Sequence, residues 1–159
     1  MTTTAPAPRA ITRRPAVVTA LVVVHLFLAL GALAGGAALM ASPKGGVIKL
    51  PISDLRGSPF SDFLIPGLIL FVVLGVGPLV VAWALLHRPP SAALAAVNPC
   101  RGEYWGWTAS GVIGVGLVIW IAVEALIIPY SFLQPFYGAV GVAIIVLTLT
   151  PGARAYYGR

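Results

Sequence analysis

The sequence predicts an all-α fold, a four-helix integral membrane bundle with a long outer loop between helices 1 and 2. Three observations carry this. Of 159 residues, 59% are hydrophobic and 9% charged, where soluble domains carry about 25% charged residues. Mean hydropathy is +0.99. The apolar residues fall into four runs, each close to or above the ~20 residues that cross a hydrocarbon core as a helix.

The chain is short enough for one domain. It divides into a cytoplasmic tail over residues 1–15, a four-span domain over 16–150 and a second cytoplasmic tail over 151–159. The first tail is rich in Thr, Pro and Arg; Thr12 can cap the helix that follows, with Arg13 and Arg14 at its inner end. The first span, Ala16 to Ala41, is long enough to cross with tilt. A cleaved signal peptide is the competing reading, but its apolar region would run only about 7–15 residues. Leu39-Met40-Ala41 also lacks the small residue expected three before a cut.

Residues 42–65 form the long connection, in which 47–52 is expected on the membrane surface or as a brief strand. Gly57 to Gly67 has the grammar of a helix entry, with Ser58 able to cap, Pro59 suited to a first helical position and Asp62 near the positive helix end. A helix from Pro59 to His87 would run about 43 Å, too long for the core, and would hold Pro66 in its interior. The spacing therefore predicts an interfacial turn at Pro59–Leu64, with Phe60 and Phe63 at the interface, and a bend at Pro66. The second span then covers 66–87, with a kink at Pro78.

The next connection contains a short helix from Ser91 to Val97, capped by Ser91 and ended before Pro99. The third span runs over 105–128, entered through the aromatic cluster Tyr104, Trp105 and Trp107. A tight turn at Pro129-Tyr130 leads to the fourth span, 132–150, whose start reads as a capping box with Ser131 as cap and Gln134 reaching back. Pro151-Gly152 is expected to stop that helix, leaving Arg154, Tyr156, Tyr157 and Arg159 to anchor the tail at the interface.

Four spans put both termini on one side. Arg9, Arg13, Arg14, Arg88, Arg101, Arg154 and Arg159 share that side, seven basic residues against the three of Lys44, Lys49 and Arg56. Basic residues concentrate in cytoplasmic loops, so the termini are read as cytoplasmic and the 42–65 loop as outer. The net charge of +6 is accordingly a topology and headgroup signal; no basic stripe interleaved with aromatics points to nucleic acid.

Glu124 is the one carboxylate within an apolar run, and an intramembrane acid is a functional-site candidate. It lies about 28 Å along the helix from Trp105, near the outer interface. It shares a bulky stripe with Leu117, Trp120, Ile121 and Ile128. A structural bond to Tyr130, Gln134 or Arg56 is expected there, with a proton or substrate role as the alternative. His25 lies about 13 Å past Ala16, near mid-membrane, on a face with Ala29, Ala32 and Gly36. It reads as a bonded histidine at a helix contact, with a proton relay as the alternative. Haem and metal are disfavoured because His87, the only other histidine, belongs at the cytoplasmic end. Arg56 and Asp62 are expected near the level where Glu124 emerges.

Small residues recur at packing spacing, with Gly31, Gly35, Gly75, Gly111 and Gly138 as the expected helix contacts, joined by Gly114 and Gly141. Cys100 is alone, so neither an intramolecular disulfide nor a CxxC metal or redox motif exists. No phosphate-binding glycine loop, carboxylate pair or metal-spaced cluster appears, so no catalytic, metal or cofactor residues are assigned.

The stretches LRGSPFSDFLIPGLILF and WIAVEALIIPYSFLQPFYGAVG resemble uncharacterised small four-span bacterial membrane proteins, over most of residues 50–142. The resemblance implies the fold and an inner-membrane location and lends no catalytic residue. The function expected is that of a non-enzymatic accessory or scaffold protein. Its partners would be the lipid bilayer and a membrane protein or a second copy of the chain, met through the outer loop and glycine-rich faces. The alternative is a small proton-coupled carrier using Glu124 and His25.

Overall fold

Long apolar stretches, here with Glu124 as their single internal carboxylate, satisfy their backbone groups best as helices, and helices dominate the chain. The structure is a computed structural model that describes residues 14–47 and 49–158. Its elements are α1 (Ala16–Ala41), a 3₁₀ turn (Ile52–Leu55), α2 (Leu64–His87), α3 (Ala92–Ala96), α4 (Trp105–Ile127), α5 (Leu133–Leu149) and α6 (Pro151–Tyr157). No strand occurs among the described residues, and the part of 47–52 that is described is turn rather than strand. The expected roles of Thr12, Arg9, Arg13 and Arg159 lie outside the described residues.

Helices α1, α2 and α4 are each long and apolar enough to cross a membrane, and α5 with α6, bent by 60°, forms a fourth candidate. Large apolar side chains stay exposed all around them, including Leu30, Ile119, Val146 and Leu126, the last at 87%. Apolar surface on every side is what a lipid solvent permits and water does not.

The four long helices pack side by side, α1 on α2 and α4 on α5, with α1 also touching α5. The end holding Arg14, His87, Tyr104 and Tyr157 is called the base, and the opposite end, with the 42–63 and 128–132 connections, the loop end. At the base, the Gly77–His87 half of α2 packs against α4; nearer the loop end α2 turns to α1 and makes no comparable contact with α4. The bundle is therefore closed at its base and splayed at its loop end.

Two close approaches set this geometry. A methyl at Gly36 of α1 would lie 2.7 Å from the Phe71 nitrogen and 2.8 Å from the Gly67 carbonyl oxygen of α2. A methyl at Gly114 of α4 would meet Ile145 at 2.9 Å, and one at Gly141 of α5 would meet Val118 at 2.9 Å. Of the glycines expected as contacts, Gly75 packs tightly on Leu33 and Gly31 on the Tyr137 hydroxyl. Gly35 meets only Leu70 at 3.4 Å, while Gly111 and Gly138 have room for a methyl, their nearest neighbours being Thr148 at 3.8 Å and Ile121 at 3.7 Å. The α4–α5 crossing point is thus one turn further along than Gly111 and Gly138.

A polar seam fixes α4 on α5. The Trp107 indole donates to the Thr148 carbonyl at 2.8 Å, the Ser110 hydroxyl donates to Thr148 Oγ1 at 2.9 Å, and that hydroxyl donates to the Ile144 carbonyl at 2.7 Å. Such bonds join helices where apolar attraction cannot discriminate neighbour from lipid.

At the base, the carbonyls ending α2 are met by side chains from elsewhere, those of Leu85 and Leu86 having no partner within the helix and that of Ala84 also accepting from the Arg88 amide. Tyr104 donates to Ala84 at 2.9 Å, Tyr157 to Leu85 at 2.7 Å and Arg14 to Leu86 at 3.2 Å. Arg88, left-handed at φ 51°, ends the helix. Its guanidinium donates to the Tyr156 carbonyl and sits 4.8 Å and 5.2 Å from the Tyr156 and Tyr157 ring centres. Tyr157 is therefore interior, not an interfacial anchor. The fourth long helix stops at Leu149, as expected before Pro151-Gly152; beyond the break Thr150 accepts from the Ala153 amide and Pro151 opens α6 at a 60° bend.

The turn expected ahead of α2 is present: Ser58 accepts from the Phe60 amide in a local turn, and Pro59 is not helical. The helix starts at Leu64, whose amide donates to Asp62 Oδ1 at 2.9 Å. Pro66 falls in the first turn, where a missing N–H costs no bond, so no bend is needed. At Pro78 the strain is absorbed by a π-helical stretch, Leu70–Val76, in which the Gly77 amide reaches back five residues to Val72. Ser91 caps α3 through the Leu94 amide. The α5 box is half formed: the Ser131 amide donates to Gln134 Oε1, but the Ser131 hydroxyl takes the Leu133 amide.

Candidate functional site

Because α2 and α4 diverge toward the loop end, they leave a space that the 42–63 connection covers. Gly45, at φ 79°, makes the tight turn that starts this cover, where a side chain would strike the Leu50 carbonyl. The Phe63 amide then donates to the Pro43 carbonyl at 2.9 Å, tying the end of α1 to the start of α2. Leu39, Leu55 and Phe63 bury together under this connection, Phe63 being 1% exposed. Phe63 is thus an interior residue and not an interfacial one.

Beneath lies a cavity of about 320 Å³, reached by side chains of all four long helices and of the covering loop. Volumes of roughly 300–1,000 Å³ with mostly apolar walls and a few polar groups are typical of small-molecule sites. The floor is Leu28, Leu74 and Leu117; aromatic walls come from Phe60, Trp120 and Tyr137. Leu70, on the π-helical stretch that Pro78 imposes, also faces it.

Glu124 is the cavity's single carboxylate, and its lining holds no Lys, Arg or His. Among the described residues its partner is the Trp120 indole, which donates to Oε2 at 3.2 Å. That replaces the expected bonds to Tyr130, Gln134 or Arg56. The i, i+4 spacing of Trp120 and Glu124 on one helical face is the signal that points to this pair. Gln134 is 4% exposed and turns its amide to the Ile128 and Pro129 carbonyls, closing the α4–α5 turn. Arg56 is exposed on the covering loop, and Asp62 is occupied at the start of α2. Neither lines the cavity.

His25 sits outside the cavity lining, fully buried on the interior stripe of α1 with Ala29, Ala32 and Gly36. Its Nδ1–H donates to the Leu21 carbonyl at 2.8 Å, and Nε2 has no partner among the described residues. Glu124 and His25 therefore do not form one site. Among the described residues, no group of three or more His, Cys, Asp or Glu is placed to hold a metal ion. Cys100 is exposed near the base, far along the chain fold from the cavity.

The chain matches no protein-family model, no curated protein and no solved structure.

Proposed function

We propose that the protein is a four-helix integral membrane protein of a bacterial plasma membrane, with both termini cytoplasmic, acting as a non-enzymatic accessory component. The orientation is supported by the basic residues. Arg14, Arg88, Arg101 and Arg154 gather on the base side, and Lys44, Lys49 and Arg56 lie in the connection at the other end. The observation that carries the accessory reading is the loop-end cavity. Its polar side chains are the Glu124 carboxylate, the Trp120 indole, the Tyr137 phenol and the Ser58 hydroxyl, with no Lys, Arg, His or Cys among them, while leucines close its floor. Such a space can receive a partner's side chain or a lipid but lacks the donor and acceptor sets that bond-making chemistry requires.

A proton-coupled carrier is the second reading, favoured by Glu124 in the cavity and by the unpaired His25 Nε2 below it. The two are separated by photocrosslinking in native membranes from residues of the covering loop, together with solute and proton flux in proteoliposomes. An accessory protein yields a discrete crosslinked partner, another protein or a second copy, and no flux. A proton or solute flux that Glu124→Gln abolishes would replace this reading with the carrier.

A further inference from the structure

The cavity makes a chemical demand that its own walls do not meet. One carboxylate oxygen of Glu124 accepts from Trp120, while no basic side chain lines the space. An ionised carboxylate is acceptor-only, and a carboxylate against apolar walls is costly unless a cation or further donors meet it. The aromatic faces of Phe60, Trp120 and Tyr137 line the same space, and aromatic faces attract cations. The remaining surface is hydrocarbon, and apolar cavities of this kind hold apolar guests rather than water. The covering loop shields the loop end, whereas α2 and α4 part above Gly77. A guest therefore has its route from the hydrocarbon side.

We propose that this cavity binds a membrane-partitioned amphiphile with an apolar chain and a cationic head. The chain lies along Leu28, Leu70, Leu74 and Leu117, and the ammonium is held by Glu124 between aromatic faces. The proposal rests on the accessory reading and deepens it by giving the class of molecule received. The head chemistry is shared by free long-chain amines and by lipids with amine headgroups.

Fluorescence quenching in nanodiscs of a neutral galactolipid, which carries neither an amine nor a net charge to concentrate cations at the surface, tests it. Trp120 is the one tryptophan lining the cavity. In a Trp83→Phe, Trp105→Phe background the only other tryptophan is Trp107, 7% exposed near the base. A brominated long-chain amine and a brominated alcohol of the same chain length serve as probes. The amine is expected to quench Trp120 at concentrations about tenfold or more below the alcohol, the scale of one hydrogen-bonded charge. Glu124→Gln removes the difference and Glu124→Asp retains it, so loss of fold is not mistaken for loss of the site. Gly35→Leu, which projects a side chain into the cavity, weakens both probes.

Adding phosphatidylethanolamine to the discs identifies the source. Competition with the amine assigns the site to a lipid headgroup, and its absence assigns it to a free amphiphile. Equal quenching by amine and alcohol in the unsubstituted Glu124 protein, or a preference that survives Glu124→Gln, overturns the proposal. A crosslinked protein partner captured despite that result would leave the accessory reading standing.

Discussion

Replacing Gly36 by alanine should destabilise the protein, and replacing Gly111 should not. The added methyl at Gly36 would stand 2.7 Å from the Phe71 nitrogen and 2.8 Å from both the Gly67 oxygen and Phe71 Cβ. Two of these atoms are backbone and cannot rotate away, so α1 and α2 must separate by about 0.7 Å to reach ordinary contact near 3.4 Å. Overpacking of this kind costs about 1–3 kcal/mol, offset by up to about 1 kcal/mol of improved helix propensity. The net expectation is a loss of about 1–2 kcal/mol. At Gly111 the nearest atom to the methyl is 3.8 Å away, and at Gly116 nothing lies within 4 Å, so both changes should be neutral or slightly stabilising. Equilibrium unfolding in mixed detergent micelles, followed by circular dichroism, measures the differences. Equal effects at Gly36 and Gly111, or a larger loss at Gly111, would refute the assigned helix contacts.

Three further outcomes follow from the base and the seam. Tyr157→Phe should cost about 1–3 kcal/mol because it leaves the buried Leu85 carbonyl without its donor, measured by the same unfolding assay. Ser110→Ala should cost about 0.6 kcal/mol and at most about 1.7 kcal/mol, as interhelical bonds in membranes do, and a Ser110→Ala, Thr148→Val cycle should show the two changes to be non-additive. Burial, opposed by Arg88, pushes the Tyr104 hydroxyl up to about 12. An unfolded tyrosine titrates near pH 10, so the folded state holds this proton more tightly. The stability it confers is present below about pH 10 and is lost as pH rises toward 12. Ultraviolet titration of tyrosinate should show this group ionising late, and Tyr104→Phe should lower the number of late-ionising tyrosines by one.

Much of the helical outline was legible because punctuation residues act locally. Ser91 before an alanine run and Gln134 beside Ser131 each act within one turn, and the structure uses both close to their expected place, whereas Tyr104 and Trp107, expected at the interface, are buried and donate to the Ala84 and Thr148 carbonyls. Contacts between helices were less legible. In these helices the outward and inward faces are both apolar, so composition does not separate Gly111 from Gly114, or Gly138 from Gly141; the crossing point decides. The bend expected at Pro66 is absent because the helix starts at Leu64, which puts Pro66 in the first turn, where a missing N–H costs no bond.

The candidate site was visible only in parts. Glu124 stands out as the one acid in an apolar run, and Phe60 and Phe63 as aromatics before a helix. That they meet across one cavity depends on the divergence of α2 from α4, and that divergence follows from long-range packing. The base is similar: Tyr157 reaches Leu85 across 72 residues, a pairing no local pattern encodes.

The proposed orientation in the membrane is tested most directly by labelling intact cells with a membrane-impermeant maleimide. Cys100 is the only cysteine in the sequence and is exposed on the base side. Ser53, in the exposed turn of the covering loop, takes a cysteine in a Cys100→Ser background. The four-span topology predicts labelling of Ser53→Cys from outside and labelling of Cys100 only after permeabilisation. Labelling of both positions from outside, or of Cys100 alone, would contradict it.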